Sequence, residues 1–158
     1  MPWRRPAIGK RRHTRYVNRV RDEDENSDGI RMRRHLKEKA EKHFKPLNQK
    51  DKISEQLRAR LADLLAHGEA NADYACRAMK LSRRTLQRRL KAEKTSFQKV
   101  LTEVRAELAV NYLKDARLKS LEIAMLLGYS NISSFTTAFK SWYDVPPAEY
   151  RQKFLALP

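Results

Sequence analysis

Apolar residues recur every three or four positions from about residue 53 onward, which is the spacing of helices that bury one face. The first predicted helix ends at Gly68 and carries a stripe of four leucines, Leu57, Leu61, Leu64 and Leu65. A long fourth helix is predicted to start at Ser96, with one apolar side formed by Phe97, Val100, Leu101, Val104, Leu108 and Tyr112. No strand-like alternation occurs, so the chain is predicted to be all-α.

Capping and proline signals extend this prediction to about seven helices. Ser82 and Ser120 are expected to be N-caps, because a serine hydroxyl accepts hydrogen bonds from the exposed amides of a first turn. Pro146 and Pro147 cannot continue a helix but suit the first turn of the next one. The remaining helices are predicted over about 72–79, 83–93, 120–128, 132–142 and 148–155.

Two helix-turn-helix patterns follow each other at 74–90 and 122–139. Each has a small residue in its first helix and an apolar pair four residues apart in its second, and the second turn is one residue longer: Cys76, Leu86 and Leu90, then Ala124, Phe135 and Phe139. The small residue lets the helices cross closely, and the pair buries one face. The opposite face can enter a DNA major groove, so the pattern predicts a bipartite DNA-binding protein.

Composition agrees with this prediction without deciding it. The chain has 158 residues and a formal charge of +16, which favours a polyanionic partner. RNA or an anionic membrane surface would satisfy that charge equally well. The single cysteine, Cys76, cannot form an internal disulfide, and the chain has neither a run of 18 apolar residues nor a secretory signal. We therefore expect a cytoplasmic, nucleoid-associated protein.

The first 50 residues differ from the rest. They contain 16 Lys and Arg against 7 Asp and Glu, with few large apolar side chains. Such a segment cannot bury enough apolar surface to offset its ordering entropy, so residues 1–50 are predicted to be a mostly disordered basic arm. The arm could wrap DNA non-specifically, or it could be a solvated tail or the remnant of a lost upstream domain.

Residues from about 57 to 152 resemble the C-terminal DNA-binding domain of AraC/XylS-type transcription regulators, including the MarA-like double helix-turn-helix proteins. The strings LSRRTLQRRLKAEKTSF and IAMLLGYSNISSFTTAFKSWYDVPPAEYR carry the resemblance. It implies seven helices in two subdomains, with the first helix-turn-helix at about 71–93, a linker helix at about 96–115 and the second helix-turn-helix at about 120–142. It also implies that helices three and six enter successive major-groove segments. A linker of around 19 residues would span about 28 Å, close to the roughly 34 Å of one DNA turn.

The resemblance assigns roles to the outer face of helix three. Arg84, Gln87 and Arg88 are expected to contact bases, because arginine suits guanine and glutamine suits adenine. Arg83 and Lys91 are expected to contact phosphates. A solvated charged face is the ordinary alternative for a basic helix.

Helix six carries a different outer face. Ser133, Ser134 and Thr137 are expected to contact bases, while Lys140, together with Ser96 of the linker, is expected to contact phosphate. Many relatives have arginine or asparagine near positions 136 and 137, whereas this chain has threonines. Short hydroxyls make no bidentate base contacts, so helix three is expected to supply most of the sequence discrimination.

Two lysines depart from the family pattern. Lys80 and Lys94 stand where relatives usually have turn glycines. If these positions are left-handed, each lysine costs about 1 kcal/mol relative to glycine.

Catalytic and metal sites are not predicted. The four histidines lie at unrelated spacings, and Cys76 falls at a packed helical position, where a core role is the ordinary one. Trp142 and Tyr143, with Tyr129, are expected to pack the second subdomain. No cofactor is expected, and the chain is predicted not to be an enzyme.

Double-stranded DNA is the predicted partner, and RNA polymerase is a further one that the resemblance implies. AraC/XylS-type proteins usually carry an effector-binding domain ahead of this part, and residues 1–50 cannot form one. The chain is therefore either a stand-alone regulator or the C-terminal piece of an effector-responsive one. The alternative from another class is a non-specific nucleic-acid-binding protein.

Overall fold

The computed structural model describes residues 51–155 and the isolated positions 34 and 38. Apart from those two positions, the arm predicted over residues 1–50 lies outside the described part of the chain. Residues 51–155 form seven helices joined by turns, which confirms the predicted all-α class. In chain order they are α1 (Ile53–Ala66), α2 (Ala72–Met79), α3 (Arg83–Ala92), α4 (Phe97–Leu113), α5 (Ser120–Leu126), α6 (Ile132–Tyr143) and α7 (Pro147–Leu155).

Helix α4 is shared by two groups of helices. The first subdomain consists of α1, α2 and α3, which contact one another, and the second is formed by α5, α6 and α7 around α6. Helix α4 contacts α1 as well as α5 and α6. The apolar side predicted for α4 is buried apart from the half-buried Phe97, and the four leucines of the α1 stripe are buried too. At 17 residues, α4 spans about 25 Å, slightly less than predicted.

Side-chain caps begin four of the helices: Asn71, Ser82, Ser96 and Asn131. Ser82 confirms the predicted cap, and Ser96, predicted only as the start of the fourth helix, is the cap of α4; each hydroxyl accepts from the amide three residues ahead. Sequence reasoning missed the two asparagines, although asparagine is as good a cap as serine.

The prediction that Ser120 caps α5 is wrong. Ser120 is the first helical residue, and the N-cap is Lys119, whose N–H donates to Glu122 Oε2 at 2.7 Å. The carboxylate of a glutamate at the third helical position can accept a hydrogen bond from the N–H of the N-cap residue. This interaction of Glu122 outweighs the preference of serine for the N-cap position. Helix α6 ends one residue later than predicted, and α7 begins one residue earlier.

The same turn ends α1, α2, α3 and α5. In each, one backbone N–H donates to the carbonyl five residues earlier, and the N–H of the preceding residue donates to the carbonyl three residues before itself. The donor–acceptor distances are between 2.8 and 3.2 Å. This arrangement requires a left-handed residue just past the helix. That residue is a glycine in two turns and a lysine in the other two: Gly68, Gly128, Lys80 (φ 55°) and Lys94 (φ 56°). Both lysines therefore adopt the left-handed backbone, the condition under which each was expected to cost stability relative to glycine.

Replacing Lys94 with glycine is expected to raise the free energy of unfolding by about 0.5–1 kcal/mol, because glycine has no β-carbon to strain in the left-handed region. Denaturant unfolding followed by circular dichroism measures this change. Lys94→Ala is the matched control, since it removes the same charge but keeps the β-carbon. An equal gain in both variants would assign the effect to charge and contradict the backbone explanation.

Glu93 connects the end of α3 to the start of α1. Its carboxylate accepts from Ile53 N–H at 2.7 Å and from Ser54 N–H at 3.1 Å, two amides of the α1 first turn. Partial burial acts to raise the pKa of Glu93, but the hydrogen bonds from Ser54 and Ile53 and the charge of Lys52 outweigh it, so that the pKa lies below its ordinary value of 4.5. Helix α3 is thus joined to α1 by an ionised cap.

This lowered pKa predicts an acid-dependent loss of stability. Because the pKa of Glu93 is lower in the folded than in the unfolded chain, its contribution is fully present above pH 4.5 and is lost as the pH falls through the folded-state pKa. The free energy of unfolding of wild type should therefore fall more steeply with acidification than that of Glu93→Gln. Parallel pH profiles for the two proteins would contradict this role.

The second subdomain is held together by aromatic side chains around Phe139, whose side chain is fully buried. Its ring lies 4.8 Å from that of Tyr143 and 5.4 Å from that of Tyr150, measured between centroids. Tyr129 and Trp142 also contact each other, at 6.5 Å. These contacts confirm the packing role predicted for the aromatic residues after α5 and at the end of α6.

Candidate nucleic-acid interface

The outer face of α3 is basic along its length. Leu86 and Leu90 are buried beneath it, as predicted. The predicted contact residues are all exposed: Arg83, Arg84, Gln87, Arg88 and Lys91. Helix α3 has no acidic residue, and Arg89, which the sequence reasoning did not single out, is a further exposed cation on it. The sequence could have indicated the exposure of Arg89, because its helical position lies at the edge of the exposed face, next to the buried leucines.

Arg83 differs from its neighbours because it forms an ion pair. Its Nε donates to Asp73 Oδ1 at 2.7 Å, which joins the first residue of α3 to the first turn of α2. The hydrogen bond and charge of Asp73 raise the pKa of Arg83, and both side chains are largely exposed. The remaining guanidinium donors of Arg83 can still bind a phosphate while the pair holds the side chain against α2.

The outer face of α6 is almost uncharged. Phe135 and Phe139 are buried as predicted, and Lys140 is the single charged residue of the helix. Ser133, Ser134 and Thr137, predicted to contact bases, are exposed. Ile132, at the start of the helix, is also 42% exposed, which is unusual for a large aliphatic side chain. An aliphatic group there can contact a thymine methyl.

The residues predicted to contact phosphate are exposed, and Ser96, like Arg83, also has a structural role. Lys91 and Lys140 extend from the exposed faces of α3 and α6. Ser96 Oγ accepts from Lys99 N–H at 3.2 Å as the cap of α4. A hydroxyl accepts and donates at the same time, so this bond leaves the Ser96 hydrogen available for a phosphate oxygen.

Cys76 lies behind this interface, in the core. Its side chain is buried, and burial raises the pKa of the thiol against a lowering influence of Arg83 and a further raising influence of Asp73. A protonated, buried thiol is a poor nucleophile, which confirms the core role predicted for it. Within residues 51–155, no group of three or more His, Cys, Asp or Glu is placed to hold a metal ion.

Three side chains attach the second subdomain to α4 and its following loop. Tyr143 Oη donates to Ala106 O at 2.9 Å, and Arg151 Nε donates to Leu113 O at 3.0 Å. Arg105 Nε donates to Leu127 O at 2.8 Å, at the C-terminal end of α5. The sequence gives no sign of this role for Arg105, because nothing in the local spacing indicates which carbonyl a half-buried arginine will reach.

None of the helices within residues 51–155 is long and apolar enough to cross a membrane.

Comparison with known proteins places this geometry in a family. A family model described as a helix-turn-helix domain matches residues 75–153, half of the chain. An uncharacterized HTH-type transcriptional regulator from Mycobacterium tuberculosis is 44% identical over 70 residues, covering 44% of this chain and 20% of that protein. The ornithine utilization regulator of Pseudomonas aeruginosa is 40% identical over 80 residues, covering 51% of this chain and 24% of that protein. The chain thus spans no more than about a quarter of the length of these relatives.

A solved structure has the same fold. The crystal structure of a DNA-binding transcriptional dual regulator from Escherichia coli K-12 matches with a TM-score of 0.62 and 22% identity, covering 68% of this chain and 96% of that chain. All three similar proteins are named as regulators, two of them as transcriptional regulators, and none is named as an enzyme. Together with the two helix-turn-helix units on a shared α4, these matches confirm the resemblance: the chain belongs to the AraC/XylS-type family of helix-turn-helix DNA-binding domains.

Proposed function

We propose that this chain is a sequence-specific transcription regulator that inserts α3 and α6 into adjacent major-groove segments of double-stranded DNA. The observation that carries the proposal is that two exposed faces, one on α3 and one on α6, belong to subdomains that share α4. Both faces begin at a side-chain cap and lie opposite a buried apolar pair. Helix α4, at about 25 Å, covers most of the roughly 34 Å of one DNA turn that would separate them.

The two faces divide the work unequally. Helix α3 supplies five cations and one glutamine, whereas α6 supplies one cation and several hydroxyls. Arg84, Gln87 and Arg88 have the donors needed to read base edges, and a phosphate role fits Arg83 and Lys91. We therefore assign the stronger half of the operator to α3. Ser133, Ser134 and Thr137 read a weaker half through short hydroxyls, with Lys140 and Ser96 on phosphates.

Selection of bound sequences from a random duplex pool tests this proposal. The full chain at near-physiological salt should enrich a motif with a strong half and a weaker half about ten base pairs apart. Binding without enrichment would contradict sequence-specific reading and would favour a non-specific nucleic-acid-binding protein, whose affinity comes from phosphate contacts alone.

Deleting residues 1–50 separates the two alternatives independently. The segment carries 16 Lys and Arg, so its removal should weaken binding to every sequence and reduce the salt dependence of the affinity. The ratio between the selected motif and a scrambled duplex should stay the same or rise. Loss of that ratio on deletion would place recognition in the arm instead of the helices.

RNA polymerase is a second partner consistent with the names of the relatives, which are transcriptional regulators. We propose such contacts as an addition to DNA binding, because the protein would contact RNA polymerase while it is bound to DNA. A promoter-reporter assay with the selected motif would give the sign of regulation and reveal whether this chain alone is sufficient.

A further inference from the structure

Arg105 lies where the two subdomains meet. It belongs to α4, and its Nε donates to the carbonyl of Leu127, just past the last residue of α5. Its guanidinium carbon lies 5.0 Å from the centroid of the Tyr129 ring, a cation–π distance. The side chain thus holds both the residue before and the residue after Gly128, in the turn that leads to α6.

The first subdomain reaches the same point. A β-carbon placed on Gly128 would lie 3.1 Å from Arg105 Nη2 and 3.8 Å from Leu65 Cδ2. Leu65 is a buried residue of α1. A single glycine, with φ +82°, therefore separates the guanidinium of α4 from an α1 side chain. Side chains of α4 and α1 thus lie beside the α5–α6 turn at Gly128.

The environment of Arg105 is unusual for a surface arginine. Within residues 51–155 no carboxylate forms an ion pair with it, whereas Arg58, on α1, pairs with Glu103 and Glu107. Burial lowers the pKa of Arg105, against a raising influence of Tyr129. A planar, desolvated cation held by a carbonyl and an aromatic face has a fixed direction, because both partners restrict its rotation.

We propose that Arg105 is a positioning residue that fixes the orientation of α6 relative to α3, and so sets the operator spacing that the protein accepts. This inference rests on the proposed function, since it requires two half-sites. Each base pair inserted between half-sites turns the second one by about 34–36° around the DNA axis. A rigid junction cannot follow that rotation, whereas a loosened junction can.

The test measures affinity for duplexes that carry the selected motif with zero, one or two base pairs inserted between its halves. Wild type should lose about tenfold in affinity at two inserted base pairs, because the second half no longer binds as part of the same rigid unit. Arg105→Met should lose less than about threefold over the same series, while its affinity for a duplex containing only the strong half stays within about twofold.

Two further variants separate positioning from simple destabilisation. Arg58→Met removes an arginine that also contacts α4 but lies within the first subdomain, so its spacing profile should match wild type. Folding of the second subdomain is followed by Trp142 fluorescence in a Trp3→Phe background, which leaves a single tryptophan. Where Arg105→Met does not fold, Arg105→Lys decides, because it keeps the charge and the aliphatic stem but loses the planar fork.

The outcomes distinguish this inference from the proposed function. A flatter spacing profile in the folded Arg105 variants supports the positioning role. A wild-type profile in those variants overturns it, as does a wild-type protein that selects a motif but accepts every spacing equally. Failure of wild type to select any motif overturns the proposed function and this inference together.

Discussion

Replacing Phe139 with alanine is expected to reduce the free energy of unfolding by about 3–5 kcal/mol, the typical cost of removing a buried phenylalanine ring. Phe139 is fully buried, and its ring contacts four other aromatic rings: those of Phe135, Trp142, Tyr143 and Tyr150. The cavity left behind would be lined by these four rings, one of which, that of Tyr150, belongs to α7. Denaturant unfolding of the full chain, followed by circular dichroism, measures the change.

Ile132→Ala is the control on the same helix. Ile132 is 42% exposed, so its truncation should change stability by no more than about 0.5 kcal/mol. For a domain with a total stability of about 5–15 kcal/mol, the Phe139 variant is expected to be marginal. A loss below about 1 kcal/mol would mean that the aromatic cluster collapses around the cavity and does not hold α6 in place.

The second large effect concerns base reading. Arg88→Ala should cost about 1–3 kcal/mol in discrimination at one base pair of the strong half-site, because a bidentate arginine–guanine contact is lost. Thr137→Ala, in α6, should leave discrimination nearly unchanged, since its hydroxyl makes no bidentate contact. Affinities for the selected duplex and its single-base variants, measured at fixed salt, give both numbers.

Arg88→Lys is the matched control for charge. Lysine preserves the cation but lacks the planar fork, so it should restore the salt dependence of binding without restoring discrimination at that base pair. Equal losses of discrimination in Arg88→Ala and Thr137→Ala would contradict the unequal division between α3 and α6. Uniform weakening across all sequences by Arg88→Ala would reduce Arg88 to a phosphate contact.

Local patterns predicted most of the fold. The 3.6-residue period gave the helices, and the spacing of Leu86 to Leu90 and of Phe135 to Phe139 gave the buried faces correctly. The serine cap at 82 followed from hydroxyl chemistry. The cap of α5 did not, because the competing signal, Glu122, lies inside the helix. A local sequence signal predicts a helix cap reliably where no second residue competes for the same backbone amides.

Tertiary contacts could not be predicted in the same way. Glu93 reaches the amides of Ile53 and Ser54 about 40 positions away, and Arg105 reaches a carbonyl 22 positions away. A lone charged residue in a helix carries no information about a distant backbone group, so these side chains read as ordinary surface positions. The exposure of the candidate base-reading residues was predictable, because it follows from the helical spacing of the buried pairs in α3 and α6; their roles come from the resemblance and stay predictions.

The uneven charge of the two recognition helices has a kinetic consequence. Five of their six cations lie on α3, so of the two helices α3 contributes most of the electrostatic attraction that guides the protein to DNA. We expect the first encounter to be made by α3, with α6 docking afterwards by a short-range search that salt hardly affects. The arrival rate would then respond to ionic strength, while the residence time would depend on how well α6 fits the sequence beneath it.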